Sequence, residues 1–290
     1  MPLEPLSNDE WVNDVTTHLG KSGATLRSKA NDRLSAIGSV CPRSHRGVPV
    51  EYDISYNDTG NVVRGYKMTD LMTTCLWIAI CMEVHCVNSL MYCIEKGPTE
   101  EGMEVMRKTA EASTDKYRQL SLPLRDPPKK LIVIPGSNLM MKKALDIPRM
   151  KRLVEEGCVI KPHPITNGLD MANLKRIFGE KNVLKPTQAL YPLIKSAERL
   201  WVGGNSESGI VAMMYQKPYS IIGSNNGQYV PTYVAFYKAM ASVPSNLTDY
   251  EKLGALFSHP ESGLISIFHE NPEERIKQFF AQYDKFEHRR

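Results

Sequence analysis

The stretch at residues 200–222, LWVGGNSESGIVAMMYQKPYSII, decides the fold of this 290-residue chain. It opens with three apolar residues that are typical of a buried strand, passes through a loop of small and polar residues, and continues as an apolar helix at residues 208–215. Residues 219–222 then predict a second strand. A strand, a short helix and a strand in this order indicate two parallel strands joined by a right-handed crossover.

The same alternation precedes this stretch. Apolar strands are predicted at residues 131–135, 158–160 and 182–184, with helices between them. In an open parallel sheet, ligands bind beyond the carboxyl ends of the strands. The residues just after the successive strands are therefore candidate ligand contacts, namely Gly136, Ser137 and Asn138, then Lys161 and His163, then Thr187 and Gln188, and finally Asn205, Ser206, Glu207, Ser208 and Gly209.

Two of these loops have residues suited to binding a phosphate. In GGNSESG (residues 203–209), small residues let backbone N–H groups approach an anion, the helix that follows adds its positive dipole end, and Ser206 and Ser208 can donate hydroxyl hydrogen bonds. In KPHP (residues 161–164), prolines hold His163 in a fixed loop, where its imidazole can donate to a phosphate oxygen, and Lys161 adds positive charge. An ordinary capped turn and a surface histidine in a proline turn are the alternative interpretations. Neither loop matches the G-x-G-x-x-G fingerprint or the P-loop, which disfavours hydride transfer and ATP hydrolysis.

The order of an apolar strand, KPHP, the segment ALYPLIKSAERLWVGG and then NSESGIVAMMYQKPYSII resembles the carboxyl-terminal domain of GT-B glycosyltransferases. The resemblance covers residues 131–222 and is closest in style to the bacterial sialyl-, polysialyl-, Kdo- and glycerophosphate transferases. It implies that His163 meets the donor phosphate, that Ser206 and Ser208 line the phosphate site, and that the loop at residues 136–138 closes it. We expect the co-substrate to be a UDP-sugar or a CMP-sugar, with no other cofactor.

The chain departs from the family pattern in two places. Many relatives carry an acidic residue soon after the serine motif to hold the ribose, whereas Ala212, Met213 and Met214 occupy that stretch here. Glu207, inside the motif, is the candidate substitute. The amino-terminal half is shorter than usual and matches no pattern that identifies an acceptor.

The segment SLPLRDPPKK (residues 121–130) contains three prolines and is predicted to be a linker. We therefore expect two domains, an acceptor-side domain at residues 1–125 and a nucleotide-sugar donor domain at residues 126–290 that ends in a crossover helix. The fold class is predicted to be α/β and GT-B-like. It combines a Rossmann-like parallel sheet in the second domain with a smaller, more helical first domain, in which residues 71–94 read as a buried helix.

The amino-terminal half should supply the catalytic base and the acceptor contacts. Asp53, Asp58 and Asp70 lie in or near predicted polar loops, and a carboxylate beside the acceptor hydroxyl is the simplest base. Arg43, Arg46 and Lys67 belong to a concentration of positive charge that would suit a polyanionic acceptor. Solvated surface charges are the alternative interpretation of both sets.

Composition narrows the class of protein and its compartment. With 42% hydrophobic and 23% charged residues, the chain is expected to fold around a core rather than to be disordered or a small disulfide scaffold. The start MPLEPLSNDEW has no secretory pattern, and charged or polar residues interrupt the most apolar stretch, so we expect free thiols, no membrane span and a cytoplasmic protein, in the host cytoplasm if phage-encoded. Cys81, His85 and Cys86 are interpreted as core residues of a helix, so no metal site is predicted.

These observations predict an enzyme, a glycosyltransferase that moves a sugar from a nucleotide-sugar donor to an acceptor hydroxyl. The transfer is expected to be independent of metal, because the imidazole, the lysine, the serine hydroxyls and a helix dipole can stabilise the leaving phosphate. The expected acceptor is a hydroxymethylated base in phage-type double-stranded DNA, flipped into the cleft. The alternatives are an envelope-glycan or polyol-phosphate transferase, a sugar-nucleotide epimerase, and a non-catalytic nucleotide-sugar-binding protein.

Overall fold

The computed structural model describes residues 50–56, 62–72, 74–80, 83–112, 124–134, 145–164, 166–204, 206–222 and 231–287. In chain order these residues form the following strands and helices: β1 (Val50–Tyr56), β2 (Val62–Met72), β3 (Cys75–Ile80), α1 (Glu83–Lys96), α2 (Glu100–Ala112), β4 (Lys130–Val133), α3 (Ile147–Glu155), β5 (Val159–Lys161), α4 (Gly168–Phe178), α5 (Leu190–Ser196), β6 (Arg199–Gly203), α6 (Ser208–Met214), β7 (Tyr219–Ile222), α7 (Pro231–Ser242), α8 (Asp249–Ser258), β8 (Leu264–Ser266) and α9 (Pro272–Glu287).

The chain divides into two compact units. Unit 1 comprises Met1–Lys116 together with Ala235–Arg290, and unit 2 comprises Tyr117–Val234. The sequence placed the domain boundary after residue 125, nine residues beyond the first division between the units, which follows Lys116. The sequence also assigned residues 235–290 to the second domain, whereas in the structure they belong to unit 1. The reason is that β8 pairs with β3, a contact between strands distant in sequence that no local pattern reveals.

Unit 1 contains an antiparallel sheet with the strand order β1-β2-β3-β8. The predicted helix at residues 71–94 was wrong over its first part, because β2 extends to Met72, β3 follows, and α1 begins only at Glu83. The described part of the amino-terminal half is therefore less helical than we predicted. All six residues of β3 are buried. A strand buried on both faces has no polar alternation, so periodicity does not distinguish it from a buried helix.

Unit 2 contains a parallel sheet with the strand order β5-β4-β6-β7, and a parallel bridge between Ile160 and Val183 extends it beyond β5. This confirms the predicted α/β class with a parallel sheet, and the sheet is compatible with a Rossmann-like domain. From β4 the chain crosses to β5 on one side, and from β6 it crosses to β7 on the other side. Because crossovers are right-handed, α3 and α6 are expected on opposite faces of the sheet.

Local sequence explains where the helices of unit 2 begin and end. The Asp146 side chain accepts a hydrogen bond from the Arg149 N–H (3.0 Å) at the start of α3, and the Asn167 side chain accepts from the Asp170 N–H (2.8 Å) at the start of α4. Gly179, with φ of 85°, ends α4 in a conformation that favours glycine. Both helices pack on a common core with one face of the sheet, formed by Ile132, Ile134, Met150, Leu153, Cys158, Ile160, Leu174, Phe178, Val183, Trp201 and Ile222.

Candidate functional site

The candidate site lies at the carboxyl edge of the parallel sheet in unit 2. β4 and β6 are neighbours, and the connections that follow them leave in opposite directions. Such a reversal is the topological switch point, where open α/β sheets bind their ligands. The loop after β6 is the GGNSESG segment, and the loop after β5, one strand further along, is the KPHP segment. The fold therefore brings the two predicted loops to the same edge of one sheet.

The serine loop after β6 is held together by its own hydrogen bonds. The Ser206 N–H donates to the Gly203 carbonyl (3.0 Å), and the Ser206 hydroxyl donates to Ser208 Oγ (2.9 Å) while accepting from the Ser208 N–H (3.2 Å). Both serine side chains are buried. Glu207 stands at the N-cap position of α6 without capping it, and its carboxylate accepts a hydrogen bond from the Tyr233 hydroxyl (3.3 Å). The loop is thus a fixed turn whose serines point toward each other.

Lys161 acts differently from what the sequence suggested. We expected its charge to face a phosphate, but its side chain is only 1% exposed. The ammonium donates to the carbonyls of Pro162 (2.6 Å) and Pro186 (2.9 Å). Lys161 therefore ties the loop after β5 to the loop that follows the bridge residue Val183. Its contribution in this structure is to position the segment that contains His163.

The His163 loop continues directly into α4. His163 is half-buried, and its carbonyl accepts a hydrogen bond from the Thr166 N–H (3.0 Å), which closes a turn. In the next loop Thr187 is exposed, whereas Gln188 is buried and its N–H donates to the Lys185 carbonyl (3.1 Å). Of these four residues, Thr187 is exposed, His163 and Thr166 are half-buried, and Gln188 is buried.

Sequence reasoning missed two polar residues just after His163. Asp170, in the first turn of α4, is 1% exposed. Its Oδ2 accepts from Asn167 Nδ2 (2.9 Å), while Oδ1 is buried and has no hydrogen-bond partner. Thr166 Oγ1 is likewise buried without a partner. The sequence TNGLD reads as an ordinary helix start, in which an acidic third residue suits the helix dipole, so it gave no signal of a site.

Several predicted site residues lie outside the described residues: Gly136, Ser137, Asn138 and Asn205 of the donor loops, Asp58 of the candidate bases, and Arg43 and Arg46 of the acceptor set. Their predicted roles stay predictions. Gly209 is buried in the first turn of α6.

The remaining acceptor-side candidates belong to the antiparallel sheet of unit 1. Asp53 lies in β1, where the register with β2 shifts between Tyr52 and Ser55, and Asp70 and Lys67 lie in β2. Both aspartates lie within strands of this sheet, so neither occupies a loop itself. Their predicted roles as base and acceptor contact stay predictions.

The second His-Pro segment, HPESG at residues 259–263, is held in unit 1 by hydrogen bonds and an ion pair. The Nε2 atom of His259 bonds to the Gly97 carbonyl (2.8 Å), and burial lowers the pKa of His259. Burial alone would raise the pKa of Glu261, but its ion pair with Lys96 (2.8 Å) outweighs burial and holds the pKa below the ordinary value. Arg275 donates to the carbonyls on both sides of the segment, and burial lowers its pKa to about 10. The segment forms a single turn of 3₁₀ helix, Pro260–Ser262, directly before β8.

Comparisons of the chain with protein-family models, with curated proteins and with solved structures found no match. Within the described residues, no three or more His, Cys, Asp or Glu side chains are grouped so that they could hold a metal ion. The helices described here include none that is both long and apolar enough to cross a membrane. The fold of unit 2 is an α/β unit with a parallel sheet, and two polar loops lie at the carboxyl edge of that sheet.

Proposed function

We propose that this protein is a glycosyltransferase that transfers a sugar from a nucleotide-sugar donor to an acceptor hydroxyl. The observation that supports it is the position of the GGNSESG loop, which follows β6 at the switch point of the parallel sheet, with the His163 loop at the same edge. Strands β5 and β6 are separated only by β4, which corresponds to roughly 10 Å across the sheet. A nucleoside diphosphate can extend over that distance.

The chemistry of the proposal is electrostatic. As the bond between the sugar and the phosphate breaks, negative charge accumulates on the leaving phosphate, and groups already fixed in place stabilise it best. The Ser206 hydroxyl donates to Ser208, and no acceptor for the Ser208 hydroxyl proton is found among the described residues. In the proposal, the phosphates accept hydrogen bonds from three donors. These are the Ser208 hydroxyl, the His163 imidazole and backbone N–H groups of the GGNSESG loop. Lys161 holds the loop of His163 in position.

The return of residues 235–290 to unit 1 also supports the proposal. In the GT-B architecture that the sequence resembles, the carboxyl-terminal helix packs back across the domains. Here the chain runs through unit 2 and ends in unit 1, where α9 lies.

The donor is tested by thermal unfolding with UDP-, CMP-, GDP- and CDP-activated sugars. A ligand that binds only the native state raises the melting temperature, by an amount set by its concentration relative to Kd. We expect one class of nucleotide sugar to raise it, and we expect His163→Ala and the double variant Ser206→Ala/Ser208→Ala to abolish that rise. Ser196→Ala, an exposed serine at the end of α5, is the matched control. If no activated sugar raises the melting temperature of the wild type, the proposal fails.

The acceptor in this proposal is the hydroxymethylated base of phage-type duplex DNA. Retention of the protein on duplex DNA should weaken steeply as salt increases, because binding releases counterions from the phosphates. Transfer of label from the nucleotide sugar to hydroxymethylated DNA would support this acceptor. No retention at low salt would favour an envelope-glycan or polyol-phosphate acceptor. Conversion of the nucleotide sugar in the absence of any acceptor would instead indicate an epimerase. Tight binding of the nucleotide sugar without turnover would indicate a binding protein.

A further inference from the structure

His269 lies just beyond the end of strand β8, in unit 1. It follows the last residue of β8 by three positions and is only 5% exposed. Both ring nitrogens bond to the backbone, because Nδ1 accepts from the Ser266 N–H (2.9 Å) and Nε2 bonds to the Phe257 carbonyl (2.9 Å). The imidazole also stacks on the ring of Phe257, with 6.3 Å between the ring centroids. His269 therefore joins the end of β8 to α8.

The two hydrogen bonds require one uncharged form of the imidazole. A backbone N–H only donates, so Nδ1 must keep its lone pair, and a carbonyl only accepts, so Nε2 must carry the proton. A second proton can bind only at Nδ1, where it would face the Ser266 N–H. Protonation of His269 and the hydrogen bond from Ser266 therefore exclude each other.

The charged neighbour of His269 also opposes a second proton. Arg275 of α9 is the charged residue in the described part of the chain that acts on the imidazole, and it repels an imidazolium. Glu261 and Glu101 act in turn on the Arg275 guanidinium, and Glu270, next to His269 in the chain, is exposed. Burial, followed by the repulsion from Arg275, lowers the pKa of His269 to about 3, whereas a solvated histidine titrates near 6.5.

The position of Ser266 determines what is lost when His269 takes up a proton. Ser266 is the last residue of β8 and pairs with Cys75 of β3. Its hydroxyl also hydrogen-bonds with the hydroxyl of Thr109 in α2 (2.5 Å). Because β8 is only three residues long, it has few hydrogen bonds to β3, and a broken contact at its end weakens the whole pairing.

We propose that uptake of one proton by His269 releases β8 from β3, so that unit 1 opens in mild acid while the parallel sheet of unit 2 stays closed. The proton comes from solvent and binds Nδ1, the hydrogen bond from Ser266 breaks, and the imidazolium moves into water. The open form binds this proton more readily than the closed form, so the closed form loses stability as the pH falls below about 6.5 and regains it as the pH rises. Between about pH 7 and about pH 5, the equilibrium constant for opening should increase roughly 25-fold. The proposal concerns unit 1 and is independent of any substrate.

Amide hydrogen exchange, followed residue by residue by NMR, measures this opening. The Ile267 N–H bonds to the Thr74 carbonyl (3.2 Å) directly after β8, and the Ile78 N–H bonds to the Gly263 carbonyl (2.9 Å) directly before it. The Ile134 N–H, bonded to the last residue of β5 (3.1 Å), is the internal control in unit 2. We expect the protection factors, which correct for the intrinsic pH dependence of exchange, to fall roughly 25-fold at Ile267 and Ile78 between about pH 7 and about pH 5. The protection factor of Ile134 should stay nearly constant.

Two variants assign the proton to His269. His269→Asn removes the titrating ring but keeps an oxygen that can accept from the Ser266 N–H, so the protection of Ile267 and Ile78 should become nearly independent of pH. His259→Gln is the matched control in the same unit, because the Nε2 atom of His259 also bonds to a carbonyl and burial also lowers its pKa. This second variant should keep most of the fall.

Three results would overturn the inference. Constant protection in the wild type would mean that β8 does not open, and an equal fall at Ile134 would mean that the whole protein unfolds. An unchanged fall in His269→Asn would assign the proton to another group. Should His269→Asn not fold, an NMR titration of the His269 ring in the wild type decides instead. The folded protein should show no titration down to about pH 5, whereas a midpoint near 6.5 without loss of protection would contradict the proposal.

Discussion

The chain contains two His-Pro segments, and the structure gives them different surroundings. In unit 1 the segment at residues 259–263 is bound on several sides by an ion pair, by Arg275 and by the Gly97 carbonyl. In unit 2 the loop that contains His163 is positioned by Lys161, but the turn that follows keeps two buried oxygens without partners. The His-Pro dipeptide therefore belongs to a structural turn in unit 1 and to a candidate binding loop in unit 2. The hydrogen-bond partners, not the motif, make the difference.

The largest expected effect tests whether the segment in unit 1 is structural. Arg275 is 8% exposed and donates to the carbonyls of Leu256 (3.2 Å), His259 (2.8 Å) and Leu264 (2.7 Å). Arg275→Met removes a charged donor from all three buried carbonyls, and only those of Leu256 and His259 keep another donor, Ser262, so we expect the free energy of unfolding to fall by about 3–5 kcal/mol. Urea denaturation measures the change, with Arg107→Met as the control, because Arg107 makes only exposed ion pairs. Equal midpoints for the two variants would show that the segment needs no such support.

A second pair of substitutions separates two effects on stability in this region. One is the close contact between Gly263 and β3, and the other is the strain of a positive φ angle alone. Gly263 has φ of 70° and Gly97 has φ of 78°, so alanine is strained at both positions. At Gly263 a Cβ atom would also collide with the Ile78 carbonyl oxygen, whereas at Gly97 no described residue other than the chain neighbours has an atom within 4 Å of a Cβ. We expect Gly263→Ala to lower the free energy of unfolding by about 2–4 kcal/mol and Gly97→Ala by about 1 kcal/mol. Similar losses for both variants would mean that β8 and β3 separate easily.

The smallest expected effect on stability comes from replacing each of the two histidines with alanine. The two variants should differ in whether they lose stability or nucleotide binding. His259→Ala removes the hydrogen bond to the Gly97 carbonyl and should cost about 1 kcal/mol of unfolding free energy without changing nucleotide binding. His163→Ala should do the reverse, weakening nucleotide-sugar binding while changing stability less. Urea denaturation and calorimetric titration of both variants check this crossed pattern. If His259→Ala weakens binding as much as His163→Ala, the two segments do not differ in function.

The sequence predicted unit 2 better than unit 1 because its elements are defined locally. The strand at residues 219–222 was predicted with its observed bounds, and the capping residues Asn167 and Gly179 mark the ends of α4. β3 was missed because its six residues are all buried and show no alternation. The inclusion of residues 235–290 in unit 1 could not be read from the sequence for a different reason, since it depends on the pairing of β8 with β3.

The candidate site was predictable in position but only partly in detail. The loops after β5 and β6 follow from the rule that ligands bind at the carboxyl edge, and the strand order brings them there. The burial of Lys161 among carbonyls was not predictable, because a lysine beside a histidine reads as positive charge for a ligand. Asp170 was hidden within a helix start, where acidic residues are common for reasons unrelated to binding.

The most direct test of the central claim is a crystal structure of the protein with the nucleotide sugar that raises its melting temperature most. The account predicts phosphate oxygens at the switch edge of the parallel sheet, within hydrogen-bond distance of His163 and of Ser206 or Ser208. Phosphates bound in unit 1, or at the amino edge of the parallel sheet away from these side chains, would contradict it.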